Sequence, residues 1–407
     1  MGMSNPKKGT FAELHPDGPF SIYFTQQLEQ LQQKKPSLFK PILQNSSLLG
    51  VCLHCYTCRG NSSCVPYTPL SNKFSSSPDH VDITLILAGT PDRLFLLRYF
   101  ATRWQGHFLS PSLTRSPLVA TIHLPHNRLD AARKLVPSLA LPSRFTVILH
   151  AVKRKERYFN DFPVNLLRNI AIKNVRTSHF LVTDMDLWPI PSAYQRLLRL
   201  PKKVLLSNRS AVIVPSIFAA KKERILKNCE TLEECAVASD RFFPKTKAEL
   251  VSCFDAGKCS MRKESRDTHN YVNTVWMNSP PEQLLHIRCF PSRFQEPYVM
   301  LRYNEDTLLF DERFINYGCN KVQYVDHLRY QGYSFYIPSD VFSVDLVHRD
   351  SAFRNRFIRS YGSKDRPEMT LVCYYYLDAV QEKYAGNRGV LPLCRDVNSV
   401  KYKVIKG

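Results

Sequence analysis

The strongest constraint on the fold is an alternation of apolar strands and helices between residues 81 and 187. Four short apolar runs rich in β-branched residues are predicted as strands, at 81–89, 118–125, 144–152 and 179–187. Apolar residues at helical spacing predict the helices between them, at 94–104, 129–136 and 163–175. Strands that alternate with helices form a mostly parallel sheet, so this half of the chain is predicted to be an α/β domain. Ligands of such sheets bind beyond the carboxyl ends of the strands.

The second half of the chain is less regular. Short strands are predicted at 204–218, 296–303 and 333–348, and helices at 321–330 and 369–384. A long polar stretch separates the first of these strands from the rest. We therefore predict one α/β domain whose second half departs from the regular alternation.

The composition of the chain changes at about residue 80. Residues 1–80 hold a Gln-rich helical segment, a cluster of four cysteines and a Ser-rich connection. They are predicted to form a separate stem-like segment. The main domain is predicted at 81–360, and a helix and tail at 361–407 are predicted to pack on it.

Twelve cysteines bear on the compartment of the protein. The first four are Cys52, Cys55, Cys58 and Cys64. Their spacing does not match a standard zinc site with two cysteine pairs, which favours disulfides over zinc without excluding the metal. With the local pairs Cys229/Cys235 and Cys253/Cys259 and the N-x-S triplets at Asn45, Asn61 and Asn208, the pattern favours a secretory lumen.

The chain carries no visible membrane signal. It has no apolar run of 18 or more residues and no apolar segment near its start that would be typical of a signal peptide. For a protein of the secretory lumen, we expect membrane association only through an anchor that is not visible in this chain.

The chain is strongly basic, with 56 Lys and Arg against 35 Asp and Glu and a net charge of +21. The basic residues are dispersed, and no RRM-like, zinc-finger or basic-zipper pattern is present. Nucleic acid is therefore not an expected partner, whereas a nucleotide-sugar or an acidic glycan suits the charge.

Two carboxylates follow the last strand of the alternation, at Asp184 and Asp186. Carboxylates two residues apart in a strand point the same way, and this end of the strand faces the ligand crevice. Such oxygen donors suit Mg²⁺ or Mn²⁺, and a D-x-D motif here is typical of transferases that use nucleotide-sugars. Haloacid-dehalogenase phosphatases carry a similar motif, with the first Asp as nucleophile. Theirs usually opens the domain, so this alternative is less favoured.

Longer motifs surround the two carboxylates. Residues 163–189, PVNLLRNIAIKNVRTSHFLVTDMDLWP, resemble the donor-binding half of glycosyltransferase family 49. Residues 296–348 resemble its Glu-Pro-Tyr-Val, Asp-Glu-Arg-Phe, Tyr-Gly-x-Asn-Lys and terminal Val-His signatures. The family includes the LARGE-type enzymes and a beta-1,4-glucuronyltransferase of the dystroglycan glycan pathway. The likeness covers about 82–385 and is weak at about 220–285.

The resemblance implies a GT-A fold, a Rossmann-like α/β domain with a mostly parallel central sheet and an irregular acceptor-binding half. It implies an inverting transferase of the Golgi or secretory lumen that uses a UDP-sugar, Mn²⁺ or Mg²⁺, and a glycan or glycoprotein acceptor. Glucuronate is the candidate sugar. Asp184, Asp186 and His348 match the metal-binding positions. The alternatives are a transferase of another UDP-sugar and a catalytically silent glycan-binding protein on the same fold.

Further residues match donor-binding positions of the family. Arg93, Arg168 and Asn165 are candidate donor contacts, together with Asp184. A guanidinium on a helix beside the D-x-D motif can bind a phosphate or a sugar carboxylate through two hydrogen bonds. Lys321 is a candidate catalytic residue that would stabilise the diphosphate or a uronic-acid carboxylate.

An inverting transferase needs a base to take the proton of the acceptor hydroxyl. Among the acidic residues near the family motifs, Asp311 is the preferred base, with Glu312 and Glu296 as alternatives. The segment at 267–276 matches the family's acceptor-side motif only loosely, which leaves the acceptor open.

Overall fold

The computed structural model describes residues 21–40, 50–52, 54–60, 62–69, 81–106, 116–261, 267–361, 367–395 and 400–405. The strands among them are β1 (Cys55–Arg59), β2 (Val65–Pro66), β3 (Ile83–Gly89), β4 (Leu118–Pro125), β5 (Phe145–Val152), β6 (His179–Val182), β7 (Leu187–Pro189), β8 (Ser210–Val214), β9 (Ser216–Ala219), β10 (Cys259–Ser260), β11 (Leu284–Ile287), β12 (Tyr298–Arg302), β13 (Ser334–Pro338), β14 (Ser343–Asp345) and β15 (Tyr402–Ile405). The α-helices are α1 (Ser21–Lys34), α2 (Leu97–Arg103), α3 (Leu129–Ser138), α4 (Val164–Ile172), α5 (Ala193–Leu198), α6 (Lys202–Leu205), α7 (Lys222–Leu226), α8 (Leu232–Phe242), α9 (Lys247–Asp255), α10 (Thr274–Asn278), α11 (Val322–Tyr330), α12 (Ala352–Tyr361) and α13 (Glu368–Lys383).

The described strands form two sheets. The larger has eleven strands in the order β15-β11-β13-β8-β12-β6-β3-β4-β5-β1-β2, and the smaller has the order β10-β9-β14-β7. Strands β6, β3, β4 and β5 are mutually parallel, which confirms the predicted α/β class. The larger sheet as a whole is mixed, because β12 runs antiparallel to both β6 and β8. The parallel strands are buried on both faces, so their sequences are continuous apolar runs rather than alternating ones.

The predicted strand at 179–187 is wrong in its second half. Strand β6 ends at Val182, and the two carboxylates lie in a turn in which the Leu187 amide donates to the Asp184 carbonyl at 3.0 Å. The chain then enters β7, which belongs to the smaller sheet. Pro215 marks a second passage between the sheets, because it separates β8 of the larger sheet from β9 of the smaller one.

The predicted separation of residues 1–80 from the main domain is also wrong for the part that the structure describes. Strand β1 pairs antiparallel with β5, from Cys55 opposite His150 to Arg59 opposite Thr146, and β2 extends the same edge. Helix α1 contacts α13. Residues 1–20, 41–49 and 70–80 lie outside the described residues. At the other end of the chain, α13 packs on α11, and β15 pairs with β11.

All twelve cysteines form disulfides. The pairs are Cys52–Cys55, Cys58–Cys64, Cys229–Cys235, Cys253–Cys259, Cys289–Cys394 and Cys319–Cys373. The preference for disulfides over zinc in the first cluster is confirmed. Asn208 lies exposed in the turn before β8, whereas Asn45 and Asn61 lie outside the described residues. No helix in the described part of the chain is both long enough and apolar enough to cross a membrane.

Candidate active site

A cavity of about 570 Å³ opens beyond the carboxyl ends of the parallel strands β3 and β6. It is lined by the turn after β3, by the turn that carries the two carboxylates and by the segment after β14. Residues of β9, of 268–269 and of 296–298 complete the lining. The cavity lies where a parallel α/β sheet is expected to bind its ligand.

The carboxylate turn is fixed by close packing beneath it. Met185, between the two acids, is buried against Gly89 at the end of β3. A Cβ atom at Gly89 would overlap the Met185 sulfur, so this approach requires glycine. The Leu346 amide donates to the Asp186 carbonyl at 2.7 Å, and Leu187 pairs with Asp345 between β7 and β14. This pairing brings the residues that follow β14 to the turn.

Asp184 is surrounded by donors from three elements. Arg168 of α4 donates to Oδ1 at 2.8 Å. The Tyr298 hydroxyl of β12 donates to Oδ2 at 2.6 Å, and the Lys321 ammonium donates to the same oxygen at 3.1 Å. Lys321 also lies over the Tyr298 ring, 3.8 Å from its centroid. Both oxygens of Asp184 are thus engaged by side chains of the protein.

Asp186 has different partners. Its Oδ2 accepts a hydrogen bond from Arg93 at 2.7 Å and lies 3.0 Å from Nε2 of His348. The other ring nitrogen of His348, Nδ1, lies 2.6 Å from the Arg349 carbonyl. A carbonyl oxygen only accepts, so Nδ1 carries a proton and Nε2 is the nitrogen directed at Asp186.

The electrostatics keep both acids ionised. Burial favours the neutral acid, but Lys321 and Arg168 outweigh it and hold the pKa of Asp184 far below its usual range. Arg93 and His348 do the same for the pKa of Asp186. Burial lowers the pKa of His348, and the hydrogen bond and charge of Asp186 more than offset it, so the pKa lies above its ordinary value.

The donor set at Asp186 and His348 fits a divalent cation. A carboxylate oxygen and an imidazole nitrogen point at one another, and the imidazole is oriented through its other nitrogen by a backbone carbonyl, as in metal-binding histidines. Mg²⁺ is often held by one or two carboxylates and by substrate phosphates. Within the described residues, no three His, Cys, Asp or Glu side chains form a metal cluster. Asp184 already accepts three hydrogen bonds from side chains of the protein, one on Oδ1 and two on Oδ2.

The comparisons with known proteins agree with this site. Residues 118–366 match the family described as glycosyl-transferase for dystroglycan, which is more than half of the chain. The chain belongs to glycosyltransferase family 49. Its carboxylate turn and His348 lie within the matched residues, as does most of the cavity lining, whereas the turn after β3 precedes them.

Several relatives of this family 49 chain are named xylosyl- and glucuronyltransferases. Mouse (Mus musculus) LARGE1 is 30% identical over 69% of the chain, and chicken (Gallus gallus) LARGE2s is 27% identical over 72%. The chain spans about one third of the length of these proteins, 33% and 36%. A mannosyltransferase from Pyrobaculum calidifontis, solved with GDP-Man and Mn²⁺, aligns over 90% of this chain and 85% of its own with 13% identity and a TM-score of 0.37.

The structure brings five of the predicted family 49 site residues together. Asp184, Asp186, Arg93, Lys321 and His348 all line the cavity. Arg168 also reaches the lining, but its guanidinium is held by Asp184 and by the Asn165 side chain at 3.1 Å. It therefore positions Asp184.

Two predicted residues lie elsewhere. Asn165 is fully buried, and its amide donates to the Asp311 carbonyl at 2.9 Å, so it joins α4 to a loop and does not line the cavity. The Asp311 side chain is 9% exposed and binds Arg313 through both oxygens, at 2.8 and 2.5 Å. This ion pair lies outside the cavity lining, so the structure does not bring Asp311, the predicted base, to the other site residues.

Tyr298 was missing from the sequence prediction. It belongs to the Glu-Pro-Tyr-Val motif, but an aromatic residue at the start of a buried strand indicates packing rather than chemistry. Only the tertiary structure shows its hydroxyl between Asp184 and Lys321. The Glu-Pro-Tyr-Val motif was the one signal in the sequence that could have pointed to Tyr298.

Proposed function

We propose that this chain transfers a sugar from a UDP-sugar to a hydroxyl group of a glycan, with inversion at the sugar carbon and with Mn²⁺ or Mg²⁺ bound. The observation that carries the proposal is the convergence of Asp186, His348 and Arg93 in a cavity at the carboxyl edge of the parallel strands. A catalytically silent binder would have no use for such a site.

Four residues of the cavity would bind different parts of the donor. Asp186 and His348 would hold the cation, whose chemistry is to neutralise the charge that develops on the diphosphate leaving group. Arg93 lies beside Asp186 and would donate to a phosphate oxygen. Lys321 faces the cavity from the start of α11 and would pair with the diphosphate or with the carboxylate of a uronic acid.

The names of the relatives supply the first candidates for the donor sugar. The proteins that match are named xylosyl- and glucuronyltransferases, so UDP-glucuronate and UDP-xylose are the first donors to test. UDP-galactose and UDP-N-acetylglucosamine complete the set of candidates. A glycan or a glycoprotein is the proposed acceptor.

The proposed location is the Golgi or another part of the secretory lumen. Six disulfides that involve every cysteine suit an oxidising compartment. Membrane association would come from a segment not visible in this chain.

The test is UDP release from the panel of UDP-sugars with Mn²⁺, in the presence of aryl xylosides and aryl glucuronides as acceptor probes. The wild type is compared with Asp186→Ala and with Asp130→Ala, a control that removes an exposed acid of α3. We expect turnover of one donor that chelator and Asp186→Ala abolish and that the control retains. Absence of both turnover and binding of UDP with Mn²⁺ would make the glycan-binding alternative the better one.

A further inference from the structure

The cavity contains more acidic residues than the metal site needs. The acids that line it in the described part of the chain are Asp92, Asp184, Asp186, Glu296, Asp345 and Asp350. Asp184 and Asp186 are engaged as described above, and Asp350 pairs with Arg354. Asp345 adds its charge to the surroundings of His348 and Tyr298, which places it on the metal side.

Of the acids that line the cavity, Asp92 and Glu296 remain to be assigned. Asp92 is exposed on the 3-10 turn Pro91–Leu96 beside Arg93, which is the donor side. Glu296 is partly buried, and its backbone amide donates to the Thr268 carbonyl at 2.8 Å. Its carboxylate makes no hydrogen bond or ion pair with any described side chain or backbone group.

Glu296 connects two groups of cavity residues. Thr268, to which its amide donates, lines the cavity with His269 and with Phe218, which packs edge-to-face on the His269 ring. Two residues beyond Glu296, the Tyr298 hydroxyl contacts Asp184. A partly buried carboxylate that lines the cavity and has no partner among the described residues is free to accept a proton from a second substrate.

We propose that Glu296 is the general base of the transfer reaction, in place of Asp311. The assignment rests on the function proposed above. It also places the acceptor against Phe218, Thr268 and His269, which line the same cavity.

The reaction then balances without another reactant. The acceptor oxygen forms a bond to C1 of the sugar as the bond from C1 to the β-phosphate oxygen breaks, and the electron pair leaves with UDP. The hydroxyl proton passes to the Glu296 carboxylate and afterwards to water. Since UDP leaves as an anion, the Glu296 carboxylate is the only proton acceptor that the chain must supply.

The experiment compares Glu296→Gln with the wild type. The amide keeps the shape of the side chain but cannot take the proton, so kcat should fall roughly 100- to 10,000-fold. The Kd for UDP with Mn²⁺, measured by calorimetry, should stay within about twofold, because no donor ligand is removed.

Two further variants distinguish a role in proton transfer from a role in the stability of the fold. Glu296→Asp should restore part of the activity, since it returns a carboxylate. Asp311→Asn should lower the melting temperature, because it weakens the pair with Arg313, while turnover of the folded enzyme persists.

The outcomes distinguish the two proposals. If the wild type transfers sugar and Glu296→Gln does so at a similar rate, the base assignment fails and the proposed function stands. A parallel loss of UDP binding and melting temperature in Glu296→Gln would also overturn it, because the residue would then be structural. If the wild type neither transfers sugar nor binds UDP with Mn²⁺, the proposed function fails first.

Discussion

The two carboxylates of the D-x-D turn lie two residues apart, yet the protein surrounds them differently. Asp184 is held by Arg168, which is 2% exposed, and by Tyr298 and Lys321. Asp186 meets Arg93, which is 20% exposed, and the imidazole of His348. One acid is anchored in a network of protein groups, and the other faces a group that commonly binds metals.

The difference indicates that the two acids of one short motif have different roles. Asp184 fixes the directions of Arg168 and Lys321 at the edge of the cavity. Asp186 has fewer side-chain partners, and its Arg93 is more accessible than Arg168, so we propose it as the acid that exchanges its partners for a cation. The proposed metal-binding and organising functions of the motif can therefore be tested separately.

The largest expected effect is the loss of sugar transfer when Asp186 or His348 is replaced. Asp186→Asn or His348→Ala should lower transfer by at least about 1,000-fold, because metal stabilisation of a leaving group is worth several kcal/mol. Mn²⁺ binding in the presence of UDP, followed by electron paramagnetic resonance, should be lost in both variants.

The control is the other acid of the motif. Asp184→Asn should bind Mn²⁺ with an affinity within about tenfold of the wild type, a difference of about 1.4 kcal/mol in binding free energy. Equal loss in all three variants would show that the two carboxylates act alike.

The second prediction concerns the two arginines. Arg168→Met removes a buried partner of Asp184 and leaves the Asn165 oxygen without its donor. It should lower the free energy of unfolding by about 3 kcal/mol, read from urea denaturation. Arg93→Met is the matched control at the other acid. The stability lost in Arg93→Met should stay below about 1 kcal/mol because the Arg93 guanidinium is 20% exposed against 2% for Arg168, while the affinity for UDP with Mn²⁺ falls. A larger stability loss in Arg93→Met than in Arg168→Met would reverse the comparison.

The smallest expected effect is ligand stabilisation. At a UDP–Mn²⁺ concentration of ten times Kd, the wild type should gain about 1.4 kcal/mol of stability, seen as a rise in melting temperature. Chelator should remove the gain. Asp186→Asn should show no rise, whereas Asp184→Asn should retain one, and this difference is independent of any acceptor. A rise of equal size in Asp186→Asn would place the metal elsewhere.

Much of the fold could be predicted from the sequence because burial leaves a local pattern. Strands β3, β4 and β5 are continuous apolar runs, and α4 and α11 lie at the helices predicted for 163–175 and 321–330. The prediction failed where the chain changes sheets. The run 179–187 is apolar on both sides of the turn, so periodicity alone could not show that β6 and β7 belong to different sheets.

The strands at one edge of the larger sheet could not be predicted from the sequence either. The segment with Cys55 and Cys58 differs in composition from the domain, which predicts a separate stem. In the structure it pairs with β5 and closes one side of the sheet. Backbone pairing depends on the register between strands and leaves little trace in the composition of a five-residue strand.

By itself, the sequence determined the α/β class, the position of the two carboxylates after a buried strand, and the family motifs that contain Lys321 and His348. Those features depend on residues close together in the chain. The tertiary structure decided that His348 meets Asp186, 162 residues away, because β14 pairs with β7 beside the turn. It also decided that Asp311 is used in an ion pair while Glu296 faces the cavity. Which acid is free depends on which cation the fold brings to it, and that is set by packing between distant elements.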